Sequence, residues 1–219
     1  MPTVLIAGAT RGIGLEFARS YAADGWTVLG TARSPGDAND LRSTGAETFE
    51  LDTSDPTSIT AFAASLGGRA IDLLIVNAGI YGGDTLDPYT WLDVLKTNTI
   101  GPTLLLEALQ PNLVAGDGKR AIAVTSEMGS IADASSGHIP YRTSKTALNM
   151  AWKCLAQPLA KAGVTAAVIH PGWVQTDMGG PNASITAEKS VVGMRRAIDT
   201  LSAKDAGRFL SWDGRDIPW

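Results

Sequence analysis

Residues 3–14 read Thr3-Val4-Leu5-Ile6-Ala7-Gly8-Ala9-Thr10-Arg11-Gly12-Ile13-Gly14, and this stretch decides the fold. A continuous apolar run ends in a glycine-rich turn, and helical spacing begins at once, with Leu15, Ala18 and Ala22 on one side of Gly14–Asp24. A strand that is apolar throughout, rather than alternating, is buried on both faces, as in a parallel sheet. Glycines at its end let the backbone turn tightly and approach a pyrophosphate, which the free N–H groups of the following helix then bind. The spacing is G-x-x-x-G-x-G, not G-x-G-x-x-G, so the motif counts through its place between strand and helix.

Six further runs repeat the strand pattern: Thr27–Thr31, Thr48–Leu51, Asp72–Asn77, Ala121–Ser126, Thr165–His170 and Arg208–Trp212. Helical stretches lie between them. Asp55-Pro56 reads as an N-cap with proline at the first helical position, opening Thr57–Leu66. Tyr141–Ala162 carries Ala147, Leu148, Ala151 and Leu155 at three- and four-residue steps. Strands alternating with helices predict right-handed βαβ units and one α/β domain over 1–219, a doubly wound, seven-stranded parallel sheet flanked by helices.

Composition narrows the function. Of 219 residues 44% are hydrophobic and 18% charged, the net charge is −4, and there is one cysteine, Cys154. No cluster of Lys and Arg offers a surface for nucleic acid or an anionic membrane. A lone cysteine forms no internal disulfide, and on a helix beside Trp152 and Leu155 it reads as a packing residue. The start shows no signal sequence and no run is long enough to span a bilayer, so a cytoplasmic location is expected. Two histidines without acidic neighbours at ligand spacing predict no metal site.

Two places carry chemistry. The second strand ends at Thr31-Ala32-Arg33, where an NAD site usually offers an acid to the ribose 2′-hydroxyl. An arginine there suits a 2′-phosphate, and Arg11 adds a second cation, so the pair favours NADP(H). Tyr141-Arg142-Thr143-Ser144-Lys145 places a phenol and an ammonium one helical turn apart. A nearby ammonium is expected to lower the phenol pKa and make it a usable acid or base. Ser126, at the end of the fifth strand, brings a hydroxyl to the same edge of the sheet.

Together these elements resemble the short-chain dehydrogenase/reductase family over nearly the whole chain. The glycine motif at 8–14, Asn77-Ala78-Gly79, Asn98, Ser126, Tyr141-x-x-x-Lys145 and Pro171-Gly172 stand in family order. More closely, YRTSKTALN at 141–149, HPGWVQTDMG at 170–179 and Trp212-Asp213-Gly214 are similar to the C-factor/sniffer branch of carbonyl-reductase-like members.

The resemblance implies a Rossmann fold and an NADP(H)-dependent oxidoreductase that reduces ketones or aldehydes to alcohols, or the reverse. Tyr141 would be the general acid, Ser126 would hydrogen-bond the substrate oxygen, Lys145 would hold the nicotinamide ribose, and Asn98 would anchor a proton-supplying water chain. Gly8, Arg11, Ile13, Arg33, Asp52, Asn77 and Thr176 match cofactor positions, Asp52 facing the adenine and Thr176 the carboxamide. Thr10, Gly12, Gly14, Thr53, Ala78, Gly79, Pro171, Gly172 and Val174 belong to the same expected site. Ser126 lies fifteen residues before Tyr141, two more than is usual in the family, and Thr125 and Ser130 are rivals for its role. The extra residues fall in Asp133–His138. Tyr81, Met128, Trp173 and Met178 would make an apolar substrate pocket, with His138 as a loop residue lining it. His170, at a strand end, reads as structural. A homo-oligomer, dimer or tetramer, is expected. A second reading of the same residues is an NADP-binding signalling protein of the C-factor type with little turnover, because a fold never fixes a function.

Overall fold

The strands form where the apolar runs predicted them. The computed structural model describes residues 1–219 apart from the side chain of Asp37. Its strands are β1 (Thr3–Ala7), β2 (Thr27–Ala32), β3 (Glu47–Glu50), β4 (Leu73–Val76), β5 (Arg120–Val124), β6 (Thr165–His170) and β7 (Phe209–Ser211). They make one seven-stranded sheet in the order β3-β2-β1-β4-β5-β6-β7, every neighbouring pair parallel. The order reverses between β1 and β4, so the chain leaves these two strands in opposite directions and opens a crevice beyond their carboxyl ends.

Eight helices cover the sheet: α1 (Gly12–Ala23), α2 (Asn39–Arg42), α3 (Pro56–Leu66), α4 (Pro88–Leu95), α5 (Gly101–Ala108), α6 (Gln110–Ala115), α7 (Ile139–Lys161) and α8 (Ala187–Thr200). Alternating side chains of each central strand feed two cores. Val4, Ile6, Leu73 and Ile75 pack with Phe17, Ala18 and Met194 of α1 and α8. Leu5, Leu74 and Val76 pack with Phe62, Leu105 and Trp152 of α3, α5 and α7. Two-sided burial explains the unbroken apolar strands.

Helix boundaries follow capping chemistry. Asp55 accepts a hydrogen bond from the Thr57 N–H at 2.9 Å, which starts α3 at Pro56. Two expectations are corrected. Helix α1 begins at Gly12 and buries Phe17 and Tyr21 while Ala22 is half-buried, because the helix packs on both the sheet and α8. In α7 the buried line runs through Leu148, Trp152, Ala156 and Leu159, with Ala147, Ala151 and Leu155 at its edge. Cys154 therefore faces outward and is exposed, not packed.

Between α4 and α5 the chain makes one π-helical turn, Lys96–Ile100. Such turns are rare and recur at functional sites. Asn98 lies on it, fully buried.

Candidate active site

Six strands deliver their carboxyl ends to one cleft. At the β1 end, Gly8 has φ +81°, and a Cβ there would sit 2.8 Å from the backbone of Ala78. Only glycine allows this approach. The loop is held by the Gly8 N–H donating to Thr31 Oγ1 (3.2 Å) and by Asn77 Nδ2 donating to the Gly8 carbonyl (2.8 Å). Gly14 serves the same contact: a Cβ on it would meet the Gly8 carbonyl oxygen at 2.0 Å. Helix α1 has no side-chain cap and no acid in its first turn, so its N–H groups are open to an anion.

A cavity of about 800 Å³ lies along this edge. Gly8, Thr10, Arg11, Gly12 and Ile13 line it from β1 and α1, Arg33 from β2, and Asp52 and Thr53 from the β3 end. Asn77, Ala78, Gly79, Lys145, Pro171 and Thr176 complete its far side. A second cavity of about 780 Å³ adjoins it, lined by Tyr81, Ser126, Met128, Trp173 and Met178. Tyr141 lines both, as do Ile13 and Thr176.

Not every expected residue falls where the sequence reading put it. Gly172 and Val174 line the second cavity, and Gly14 lines neither. His138 also lies outside the lining. It sits in the left-handed turn before α7 (φ 54°), where its Nδ1 contacts Asp84 Oδ1 at 2.5 Å and the Tyr81 hydroxyl. Arg11 is not free: it pairs with Asp177 at 2.8 Å across the mouth of the first cavity, both side chains exposed. Asp52 accepts from the Ser54 hydroxyl (2.7 Å) and N–H (2.8 Å), and these bonds, with Arg33 nearby, hold its carboxyl below the usual range. The second cavity is not uniformly apolar, because Glu127, Arg142 and Arg215 stand in its wall. His170 stands there too, pushed down to about 4 by burial.

The candidate catalytic side chains converge from two elements. Ser126 follows β5, its hydroxyl accepts from the Met128 N–H at 3.1 Å, and it lines the second cavity together with Tyr141 of α7. The rivals are committed elsewhere. Thr125 donates to Asn149 Oδ1 at 2.6 Å, and Ser130 donates to the Pro218 carbonyl at 2.6 Å. Lys145 is buried and donates to the Val124 carbonyl at 3.0 Å, its ammonium 5.7 Å from the Tyr141 ring centre. Burial lowers Lys145 to about 8 and raises Tyr141 to about 12, with Ser126 pulling the tyrosine slightly back. The expectation that the ammonium lowers the phenol is thus corrected: burial outweighs every other effect on it.

Asn98 lines neither cavity. Its Oδ1 accepts from the Ile80 N–H (2.8 Å), and its Nδ2 donates to the Ile80 carbonyl (2.8 Å) and to Ser144 Oγ (3.0 Å). Thr99 Oγ1 donates to the Ser144 carbonyl at 2.7 Å. The π turn therefore clamps α7 one residue before Lys145. Among the described residues no group of three or more His, Cys, Asp or Glu could hold a metal, and no helix is long and apolar enough to cross a membrane.

Residues 2–186 match the short chain dehydrogenase family. The C-signal protein of Myxococcus xanthus is 42% identical over 164 residues, covering 73% of this chain and 99% of that one. A crystal structure of NADPH-bound carbonyl reductase from chicken fatty liver superposes with a TM-score of 0.93 at 36% identity, covering 100% of this chain and 99% of the other. The carbonyl reductase Sniffer of D. melanogaster superposes with a TM-score of 0.92 at 29% identity, covering both chains fully. The chain belongs to the short-chain dehydrogenase/reductase family of oxidoreductases, in its C-factor and carbonyl-reductase-like branch.

Proposed function

We propose that this protein is an NADP(H)-dependent oxidoreductase that reduces ketone or aldehyde carbonyls to alcohols, or runs the reverse reaction. The observation that carries the reading is the position of Tyr141 on the shared wall of both cavities, with Lys145 on the first and Ser126 on the second. A dinucleotide fits the first cavity on three grounds. The Gly8 cradle would be filled by any Cβ, the α1 N-terminus is uncapped, and Arg33 closes the β2 end with no acid at the strand end. The NADPH-bound state of the chicken carbonyl reductase supports the same choice of cofactor.

The bound dinucleotide supplies the hydride. Tyr141 gives its hydroxyl proton to the carbonyl oxygen as negative charge develops there, and in reverse takes a proton from the alcohol. A phenol held near 12 stays protonated at neutral pH, the form that reduction needs. Ser126 donates to the same oxygen and fixes its position. Lys145, on the wall of the first cavity, would hold the ribose of the dinucleotide, and its charge favours the tyrosinate left after proton transfer. Asn98 acts as a positioning residue through Ser144 and Ile80.

The identity to C-signal favours a second reading, a dinucleotide-binding signalling protein with little turnover. NADPH oxidation with a panel of aliphatic and aromatic carbonyls separates the two. Steady turnover is expected. Tight NADPH binding by folded protein with no turnover of any carbonyl would favour the signalling reading.

A further inference from the structure

We propose that Arg142 makes the second cavity a receptor for carbonyl compounds that carry a carboxylate, binding that carboxylate while the carbonyl lies at Tyr141 and Ser126. The proposal rests on the reading of the cleft as a carbonyl-reducing site and names its substrate class. Arg142 directly follows Tyr141 on α7 and lines the second cavity. Its Nη1 donates to the Met128 carbonyl at 3.3 Å and its Nη2 to Ser135 Oγ, both neutral acceptors. Its Nε is buried and has no acceptor at all. Among the described residues Arg142 takes part in no ion pair.

The unmet Nε–H of Arg142 has no open surface, so the donors left for a ligand are the second N–H of each Nη, beyond those given to Met128 and Ser135. Its planar fork matches a carboxylate, and two contacts to neutral groups hold it in place beforehand. The other charges of the wall do not cancel it. Arg215 is matched by Asp213 at 2.7 Å, whereas Glu127 keeps its negative charge, because the His170 beside it at 3.7 Å is neutral at working pH, and it makes no ion pair with Arg142. Asp133 is exposed and forms no ion pair with Arg142. The cavity is also large enough for a carbonyl and a carboxylate on one small molecule.

The test compares para-acetylbenzoate with its methyl ester, which differ in one charge. The readout is the ratio of kcat/KM, acid over ester, with NADPH saturating. Wild type should favour the acid. The ratio should fall by about tenfold or more in Arg142→Gln, chiefly through KM, since a hydrogen bond to a charged group is stronger than one between neutral groups. Arg142→Lys keeps the charge without the fork and should lose only part of the preference, which gives a second reading if the glutamine variant does not fold. Ser135→Ala should leave the ratio unchanged, separating charge from bracing of the loop. Preference of wild type for the ester would overturn the proposal, and so would an equal loss of both probes in the Arg142 variants. Calorimetric binding of each probe to the NADP-saturated protein distinguishes the two levels. Arg142-dependent preference for the acid without turnover would sink carbonyl reduction and keep the anion site. Equal binding of acid and ester would remove the anion site and leave reduction standing.

Discussion

The ammonium of Lys145 donates to the main-chain carbonyl of Val124 at 3.0 Å, and this bond fixes α7 against β5 two residues before Ser126. The tie puts the phenol of one element beside the hydroxyl of the other. It also gives Lys145 a signature in stability. Burial lowers it from 10.5 to about 8, so between pH 8 and 10 the unfolded chain holds a proton that the native chain has released. Stability contributed by this group therefore rises with pH through that window, by roughly 1.4 kcal/mol per pH unit at its steepest. Above pH 10 Tyr81 and Tyr141, both raised to about 12, act in the opposite direction. Chemical denaturation of wild type and Lys145→Met from pH 7 to 10 should show the rise only in wild type. The variant should also lose NADPH affinity and reductase rate together.

Replacing Ser126 by Ala should lower kcat/KM by about ten- to a thousandfold with little change in melting temperature. Thr125→Val should do the opposite. It breaks the buried 2.6 Å bond to Asn149 and leaves a polar amide short of a donor, costing about 1–3 kcal/mol of stability. Equal activity losses in the two variants would return the choice between these neighbouring hydroxyls to the open.

Much of this was legible because the constraints are local. Two-faced burial makes an apolar run, a close backbone approach demands Gly8, and a cap needs Asp55 before Pro56. The candidate site was legible where its residues end strands or share a helical turn, as Ser126, Tyr141 and Lys145 do. The rest depends on partners far apart in the chain. Nothing near Arg11 announces Asp177, 166 residues away, and the π turn at 96–100 carries no periodic signal of its own. Burial of Tyr141 is likewise a property of the assembled cleft, which is why its pKa moved against the expectation. Arg142 was visible in the motif, but its unmet Nε appears only once the neighbouring loops are in place.

Trp173 is 56% exposed and donates its Nε1–H to the Gly179 carbonyl at 2.8 Å, so it is a cleft wall and not a core residue. Trp173→Ala should change the relative rates on small and bulky ketones while costing well under the roughly 3–5 kcal/mol expected of a buried tryptophan. Melting temperature beside kcat/KM for an alkyl and an aryl ketone checks both halves. A large stability loss with unchanged selectivity would place the ring in the core.

Arg33→Asp should move preference from NADPH towards NADH. The substitution replaces a cation for the 2′-phosphate with a carboxylate that repels it and accepts from free ribose hydroxyls. Because Arg11 is paired with Asp177, Arg33 should carry most of the selectivity. Asp177→Asn should free Arg11 and increase NADPH preference. The ratio of kcat/KM for the two cofactors on one ketone reads both variants. A wild type that prefers NADH would contradict this account of the β2 end.

In the proposed reaction Tyr141 delivers the proton that completes carbonyl reduction. Tyr141→Phe removes one hydroxyl and keeps the ring that packs against Tyr81 at 5.5 Å, so the fold and NADPH binding should survive. General acid catalysis is worth about 10²–10⁴-fold, and kcat for NADPH-dependent reduction of a ketone accepted by wild type should fall by that amount. A Tyr141→Phe variant that binds NADPH normally and keeps more than about a tenth of the wild-type kcat would contradict the claim.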